Sequence, residues 1–251
     1  MKRAVLAGLV ALGIVAVVWA GGDPWKNKPA DQWTEQDIND ILLNSPWSKP
    51  NLQVAGAWHP SGMTEESGNP TMPGGSSDMS HVSAGATSDA NGGLEKQDAA
   101  AARQATYSIF WWSSRTIRAA SMRRAVLKGT MTQADMDKDI AVVPDDIMIL
   151  VQGSNMQLFQ HRGEQAFEKE AYLEIKKSKE KVYPSKVNFL KPGDGQSVTG
   201  AIFFFPRKGA NGEPTVSPDE KEVDFYLFLG GSKILTYFDP RKMVDSKGED
   251  L

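Results

Sequence analysis

The sequence predicts an α+β fold with a mainly antiparallel sheet, a short N-terminal helix, one or two further helices and a long disordered insertion. Three observations predict this class. Near the N-terminus, apolar residues recur with the spacing of an amphipathic helix. Towards the C-terminus, short runs alternate apolar and polar residues between polar turns, which is typical of consecutive antiparallel strands. Between these regions lies a stretch rich in Gly and Ser.

The composition excludes several classes of protein. The chain has 251 residues, of which 40% are hydrophobic and 24% charged, close to the average of globular domains. Its formal net charge is −3, whereas nucleic-acid binders are usually basic, so we expect no nucleic-acid partner. The absence of cysteine excludes disulfides, thiolate metal sites and cysteine nucleophiles.

The N-terminus has the pattern of a secretory signal. Lys2 and Arg3 precede an apolar run that ends in small residues at Ala20. We therefore predict that residues 1–20 are a cleaved signal peptide and that the protein is exported, periplasmic or extracellular. The alternative is an inner-membrane anchor through residues 4–21, a run at the short limit for a membrane span.

Residues 21–58 are predicted to form the N-terminal helix and the first strand. Thr34 and Asp37 have the spacing of a capping box, which predicts where the helix begins. Ser45-Pro46 predicts where it ends, because proline disfavours helical geometry in the preceding residue. Alternation from Leu52 to Trp58 then predicts a strand.

Residues 59–102 are predicted to be a disordered, low-complexity insertion. Residues 59–93 include seven Gly, seven Ser and three Pro but no aromatic residue. Such a segment buries too little apolar surface to offset its ordering entropy. Because loop-closure entropy grows only with the logarithm of length, we expect the flanking segments to belong to one domain, continued by residues 103–251.

The sequence from residue 103 onwards predicts helices followed by strands. Residues 107–112 alternate as a strand, after which Ser113 or Ser114 is expected to cap a helix that ends near Leu127. A short helix is expected from Thr132 to Ile140. Further strands are expected at 147–151, 172–176, 187–190, 198–205, 223–229 and 234–238. The last two form the strongest hairpin candidate, and Asn211-Gly212 is a second hairpin signal.

Motifs for common enzyme chemistry are missing from the sequence. It lacks a Gly-x-Ser-x-Gly elbow, a His-Glu-x-x-His zinc motif and a phosphate-binding glycine loop. His59 and His81 fall in the predicted insertion, which leaves His161 as a lone candidate base. These absences favour a non-enzymatic role. A carboxylate-based hydrolase is an alternative, because paired Asp and Glu residues have no characteristic spacing.

The predicted insertion suggests one metal hypothesis. Met79 and His81 are a closely spaced thioether and imidazole, which are ligands suited to copper. A copper-handling protein is therefore a second alternative. If the insertion does not bind copper, the sequence predicts no cofactor, and the methionines of the insertion belong to a spacer.

Trp58, Trp111 and Trp112 are the candidate binding residues. Adjacent residues of a strand point to opposite faces, so one of Trp111 and Trp112 can fill the core while the other forms a contact surface. An exposed tryptophan could recognise a sugar, a peptide or a protein partner. Packing within the core is the alternative for all three.

Four local patterns suggest a relationship. They are Ser45-Pro46-Trp47, Trp112-Ser113-Ser114-Arg115, Phe204-Phe205-Pro206-Arg207 and Phe238-Asp239-Pro240-Arg241-Lys242-Met243. The chain resembles a group of uncharacterised bacterial exported proteins that carry these patterns in this order. The resemblance implies export and a single domain, and it brings no activity, cofactor or catalytic residue. We expect an exported binding or assembly module whose partner is a protein or a cell-envelope component.

Overall fold

The computed structural model describes most of the chain outside the N-terminal segment and the predicted insertion. The described residues are 22–57, 104–193, 195, 197–209, 211–230 and 232–251. The predictions of a signal peptide, an anchor and a disordered insertion, together with Trp58, Met79 and His81, lie outside them. Among the described helices, none has the length and apolar character needed to cross a bilayer.

The described residues form six α-helices, of which the three longest begin at capping residues that the sequence predicts. They are α1 (Pro24–Asn27), α2 (Glu35–Asn44), α3 (Arg115–Leu127), α4 (Gln133–Ala141), α5 (Gln157–Arg162) and α6 (Glu164–Phe167). Asp37 N–H donates to Thr34 Oγ1 at 3.3 Å, and Thr34 N–H donates to the Asp37 carboxylate at 2.9 Å. This capping box confirms the predicted start of α2. Ser114 likewise caps α3 by accepting from Ile117 N–H.

The strands confirm the α+β class. They are β1 (Ser48–Gln53), β2 (Ala55–Ala57), β3 (Thr106–Trp111), β4 (Asp146–Gly153), β5 (Ala171–Ile175), β6 (Glu180–Val182), β7 (Lys186–Leu190), β8 (Gly200–Pro206), β9 (Val223–Leu229), β10 (Ser232–Phe238), β11 (Val244–Asp245) and β12 (Gly248–Glu249). All the described strand pairs are antiparallel.

The larger strands form two five-stranded sheets. Their orders are β1-β3-β4-β8-β7 and β2-β10-β9-β5-β6, and β11 and β12 form a separate pair. Consecutive edge strands, β1 with β2 and β6 with β7, join the two sheets on both sides. β1, which precedes the predicted insertion, pairs with β3, which follows it.

The core lies between the two sheets. Trp111 of the first sheet packs edge-on against Phe238 of the second, with ring centroids 5.1 Å apart. Phe203 packs against Phe225 in the same manner at 5.6 Å. All four side chains are fully buried. Aromatic contacts of this kind hold the sheets together and fix the position of the strand ends, where the clefts lie.

One predicted hairpin forms between two long strands, and the other is limited to a single antiparallel bridge. β9 and β10 pair over their full lengths. At the Asn211-Gly212 signal, Gly212 N–H donates to Gly209 O at 2.9 Å, and the turn closes an antiparallel bridge between Lys208 and Pro214. Because β8 and β9 belong to different sheets, the turn cannot extend into a strand pair.

Candidate functional site

The structure separates the two adjacent tryptophans. Trp111 is fully buried between the sheets, so its ring has no exposed face. Trp112 follows the end of β3, is half-buried, and packs against the margin of the core. Core packing therefore accounts for Trp111, while a binding role for Trp112 stays a prediction.

A different set of residues forms an open cleft of about 520 Å³. The cleft lies beside α1, the end of α2, the start of β1 and the end of β10. Its lining residues are Asp23, Trp25, Lys26, Asn44, Ser45, Pro46, Lys49, Tyr237, Asp239, Arg241, Lys242 and Val244. We name it the basic cleft, because it is lined by four cationic side chains and two carboxylates.

Lys49 is the distinctive cation of the basic cleft. It is half-buried, and no described carboxylate forms an ion pair with it. Its ammonium instead lies 5.4 Å from the ring centroid of Tyr237 and 5.5 Å from that of Phe238. Burial lowers the pKa of Lys49, as does the charge of Lys242, while Asp239 partly opposes them. The charged ammonium is thus poorly solvated and lacks a direct counter-ion.

The two carboxylates of the cleft are engaged by other cations. Asp239 accepts two 3.0 Å hydrogen bonds from the Arg241 guanidinium, and its carboxylate lies 3.7 Å from the ammonium of Lys242. Asp23 pairs with Lys26 at 2.8 Å. Positive charge in the cleft therefore exceeds negative charge, and the excess is centred near Lys49 and Lys242.

Two buried residues on the cleft wall carry polar atoms without a partner. Trp25 Nε1 and Ser45 Oγ form no hydrogen bond with any described residue. Trp25 is held in place by an edge-on contact with Trp47, whose ring centroid is 5.8 Å away. An unsatisfied buried polar atom costs about 1–3 kcal/mol, so each needs an explanation. A water or a bound ligand that reached these atoms would remove the cost.

Tyr237 supplies the exposed aromatic surface of the cleft. Its side chain is 59% exposed, at the end of β10. Strand alternation explains this position, because the flanking Thr236 and Phe238 are buried. A tyrosine ring beside ammonium groups can pack against a ligand ring while the ammonium groups bind an anionic substituent. The cleft is therefore suited to an anionic ligand with a ring.

The described residues offer little support for a metal centre. They contain no group of three or more His, Asp or Glu side chains placed to hold an ion. Met79 and His81 lie outside them, so the copper hypothesis stays a prediction. Asp224 and Asp250 are both buried, but Asp224 bonds to Lys176 and Asp250 caps α3. The hydrolase hypothesis stays a prediction as well.

Sequence reasoning did not single out Lys49, Trp25, Ser45 or Tyr237 as a site. The cleft is assembled from segments that lie far apart in the chain, and none of them has a local functional motif. Two of the sequence patterns named above do contain residues of the cleft. The Ser-Pro-Trp pattern and the Phe-Asp-Pro-Arg-Lys-Met pattern contribute residues to the same cleft, which the sequence alone could not place together.

No family model, curated protein or solved structure matches the chain.

Proposed function

We propose that the protein is an exported, non-enzymatic binding module that holds an acidic sugar of the cell envelope in the basic cleft. The observation that carries the proposal is the Lys49 ammonium, which is partly desolvated and has no described carboxylate partner. A surface lysine kept only for its charge would be better solvated. A carboxylate bound beside Lys49 would restore the interactions that the ammonium lost on burial.

The remaining cleft residues suit a carbohydrate. The exposed ring of Tyr237 can pack against the apolar face of a sugar. Ser45 Oγ and Trp25 Nε1 are donors without a partner among the described residues, and sugar hydroxyls are acceptors. Lys242, which is largely exposed, can bind a second acidic unit.

The proposal can be tested by titrating the mature protein with an oligogalacturonate, in parallel with a neutral maltooligosaccharide of equal length. We expect saturable binding of the acidic oligomer only. Lys49→Met should weaken it by about tenfold or more, as expected for loss of a charge-assisted contact. Lys233→Met is the matched control, because Lys233 is also half-buried over a tyrosine ring, at 5.9 Å from Tyr226, but lies outside the cleft.

Two results would overturn the proposal. One is equal affinity of the Lys49→Met and Lys233→Met variants for the acidic oligomer. The other is equal binding of the acidic and neutral oligomers. Saturable binding of inorganic phosphate, with no binding of the uronate, would instead assign the cleft to phosphate-bearing ligands.

Export requires its own measurement. The intact mass of the protein purified from its own cells shows whether the chain begins at Gly21. A mass that includes residues 1–20, recovered with the membrane fraction, would favour the anchor instead.

A further inference from the structure

A second cavity, of about 300 Å³, lies at the opposite end of α3 from Leu127, beside the last residues of the chain. Its lining residues are Ser113, Arg115, Arg118, Val143, Pro144, Ile147, Arg207, Lys208, Pro214, Val216, Pro218, Glu249, Asp250 and Leu251. We name it the arginine pocket. None of these residues lines the basic cleft, so the two sites are separate.

The wall of the arginine pocket is apolar and stiff. Three of its residues are prolines, namely Pro144, Pro214 and Pro218. Proline fixes its own backbone angle φ, so a wall of this kind loses little entropy when a ligand is bound. Val216 and Ile147 add buried apolar surface. Such a wall favours a compact apolar group over a heavily hydrated one.

Arg118 and Arg207 are two of the four cationic residues that line the pocket, together with Arg115 and Lys208. Arg118 is only 7% exposed and donates to Asp139 O at 2.9 Å and to Val142 O at 2.8 Å. Arg207 donates to Pro144 O at 3.2 Å and to the main-chain oxygen of Leu251 at 3.0 Å. Among the described residues, neither arginine forms an ion pair with a side-chain carboxylate. Both charges are therefore held in place by main-chain oxygens.

Two carboxylates near the pocket, those of Asp250 and Asp245, have other partners. Asp250 accepts from Arg115 N–H at 2.6 Å and from Thr116 N–H at 3.0 Å, which caps the start of α3. Asp245 accepts from the Arg115 guanidinium at 3.0 and 2.9 Å. Arg115 is thereby paired directly. Arg118 is attracted at longer range by Asp250 and Asp139, and Arg207 by Asp146, Asp250 and Asp145.

The pocket also has donors without partners. Ser113 is 2% exposed, and its Oγ forms no hydrogen bond with a described residue. Arg118 Nε is likewise buried without a partner. A carboxylate has about four acceptor positions, so it can satisfy a hydroxyl and a guanidinium together. Ligand pockets commonly combine a mostly apolar wall with a few converging polar groups of this kind.

We infer that the arginine pocket is a second ligand site, which binds a small organic carboxylate with an apolar body. The carboxylate lies against Arg118, Arg207 and Ser113, and the apolar body packs against the prolines. The volume of the pocket matches the lower limit of ordinary small-molecule sites. The inference does not depend on the basic cleft or on its ligand.

The test uses phenylacetate and benzoate as probes and benzamide as the neutral control, followed by protein-observed NMR of the mature chain. We expect saturable shifts at the amides of Ser113 and Val216 with the acids and not with benzamide. Arg207→Met should weaken binding by about tenfold. Lys49→Met should leave it unchanged, which separates this site from the basic cleft.

Ser113→Ala is the variant that distinguishes a ligand site from a structural feature. It removes a hydroxyl that has no described partner, so the fold should be kept or stabilised while affinity for the acids falls several-fold. Val143→Trp provides an independent check, because Val143 is 67% exposed at the pocket mouth and a large ring there should obstruct entry. Equal shifts with benzamide, or unchanged affinity in both variants, would overturn the inference.

Discussion

Trp47 Nε1 donates a 2.6 Å hydrogen bond to the main-chain oxygen of Asp250, a residue 203 positions later in the chain. The Asp250 carboxylate in turn caps α3 through the N–H groups of Arg115 and Thr116. One buried residue thus connects the segment after α2, the start of α3 and the end of the described chain. The positions of both clefts depend on this connection.

Replacing Asp250 with alanine should destabilise the protein strongly. The change leaves two helix N–H groups uncapped, one of them buried, and removes a carboxylate that attracts Arg118 and Arg207. Losing one member of a buried charged cluster costs about 3–5 kcal/mol. Urea unfolding measures the difference. The control is Asp219→Ala, because Asp219 is exposed and its change should cost less than about 0.5 kcal/mol. A similar cost for both variants would contradict the capping role.

The difference in stability between the wild type and Asp250→Asn should depend on pH, because the Asp250 carboxyl is buried. Burial raises the pKa of Asp250 above its ordinary value of 3.8, although the capping N–H groups and the charge of Arg115 oppose the rise. The protonated group is therefore favoured by folding, and this contribution is fully present below pH 3.8 and lost as pH rises through the higher folded value. The stability advantage of the wild type over Asp250→Asn should accordingly shrink as pH increases. An advantage that grew with pH would contradict this assignment.

The contribution of the Asp37 carboxyl to stability should have the opposite pH dependence. Burial raises the pKa of this carboxyl, but hydrogen bonds from Thr34 and the Lys28 ammonium outweigh it, so the pKa is lowered. The stabilisation is therefore present above pH 3.8 and lost as pH falls through the folded value. At pH 7, Asp37→Asn should cost about 1 kcal/mol, and the cost should disappear in acid. Urea unfolding of both proteins between pH 2.5 and 7 tests the sign, and a cost that was constant across this range would contradict it.

Local features explain how much of the fold could be predicted. The start of α2 depends on Thr34 and Asp37, which are three residues apart, and β9 and β10 are joined by a short glycine turn. The pairing of Trp111 with Phe238 across two sheets has no such local signal. It depends on contacts between distant strands, as do the two clefts. Local sequence patterns therefore predict the elements and their ends, but they predict neither the second sheet nor the site.

Ser45→Ala should separate binding from stability in the basic cleft. The Ser45 hydroxyl is buried without a described partner, so its removal should leave the free energy of unfolding unchanged or raise it by about 1 kcal/mol. If an acidic sugar uses this hydroxyl, its affinity should fall several-fold in the same variant. Thermal unfolding and calorimetric titration provide the two readings. Lower stability with unchanged affinity would show that the hydroxyl serves the fold.

Binding at Lys49 should be linked to proton uptake. Burial and the charge of Lys242 lower the pKa of Lys49 in the free protein, whereas a bound carboxylate raises it. Affinity for an acidic sugar should therefore decrease as pH rises through the pKa of the free protein, where binding takes up a proton. Calorimetric titrations in buffers of different ionisation enthalpy, between pH 7 and 10.5, measure this uptake.

Two variants test whether Lys49 is the group that takes up the proton on binding. Lys49→Arg keeps the charge but titrates at much higher pH, so it should still bind and should take up no proton in this range. Lys49→Met should lose both the affinity and the linkage without losing stability, because it removes a poorly solvated charge from the fold. A Lys49→Arg protein that retained the pH dependence of the wild type would place the linked proton on another group.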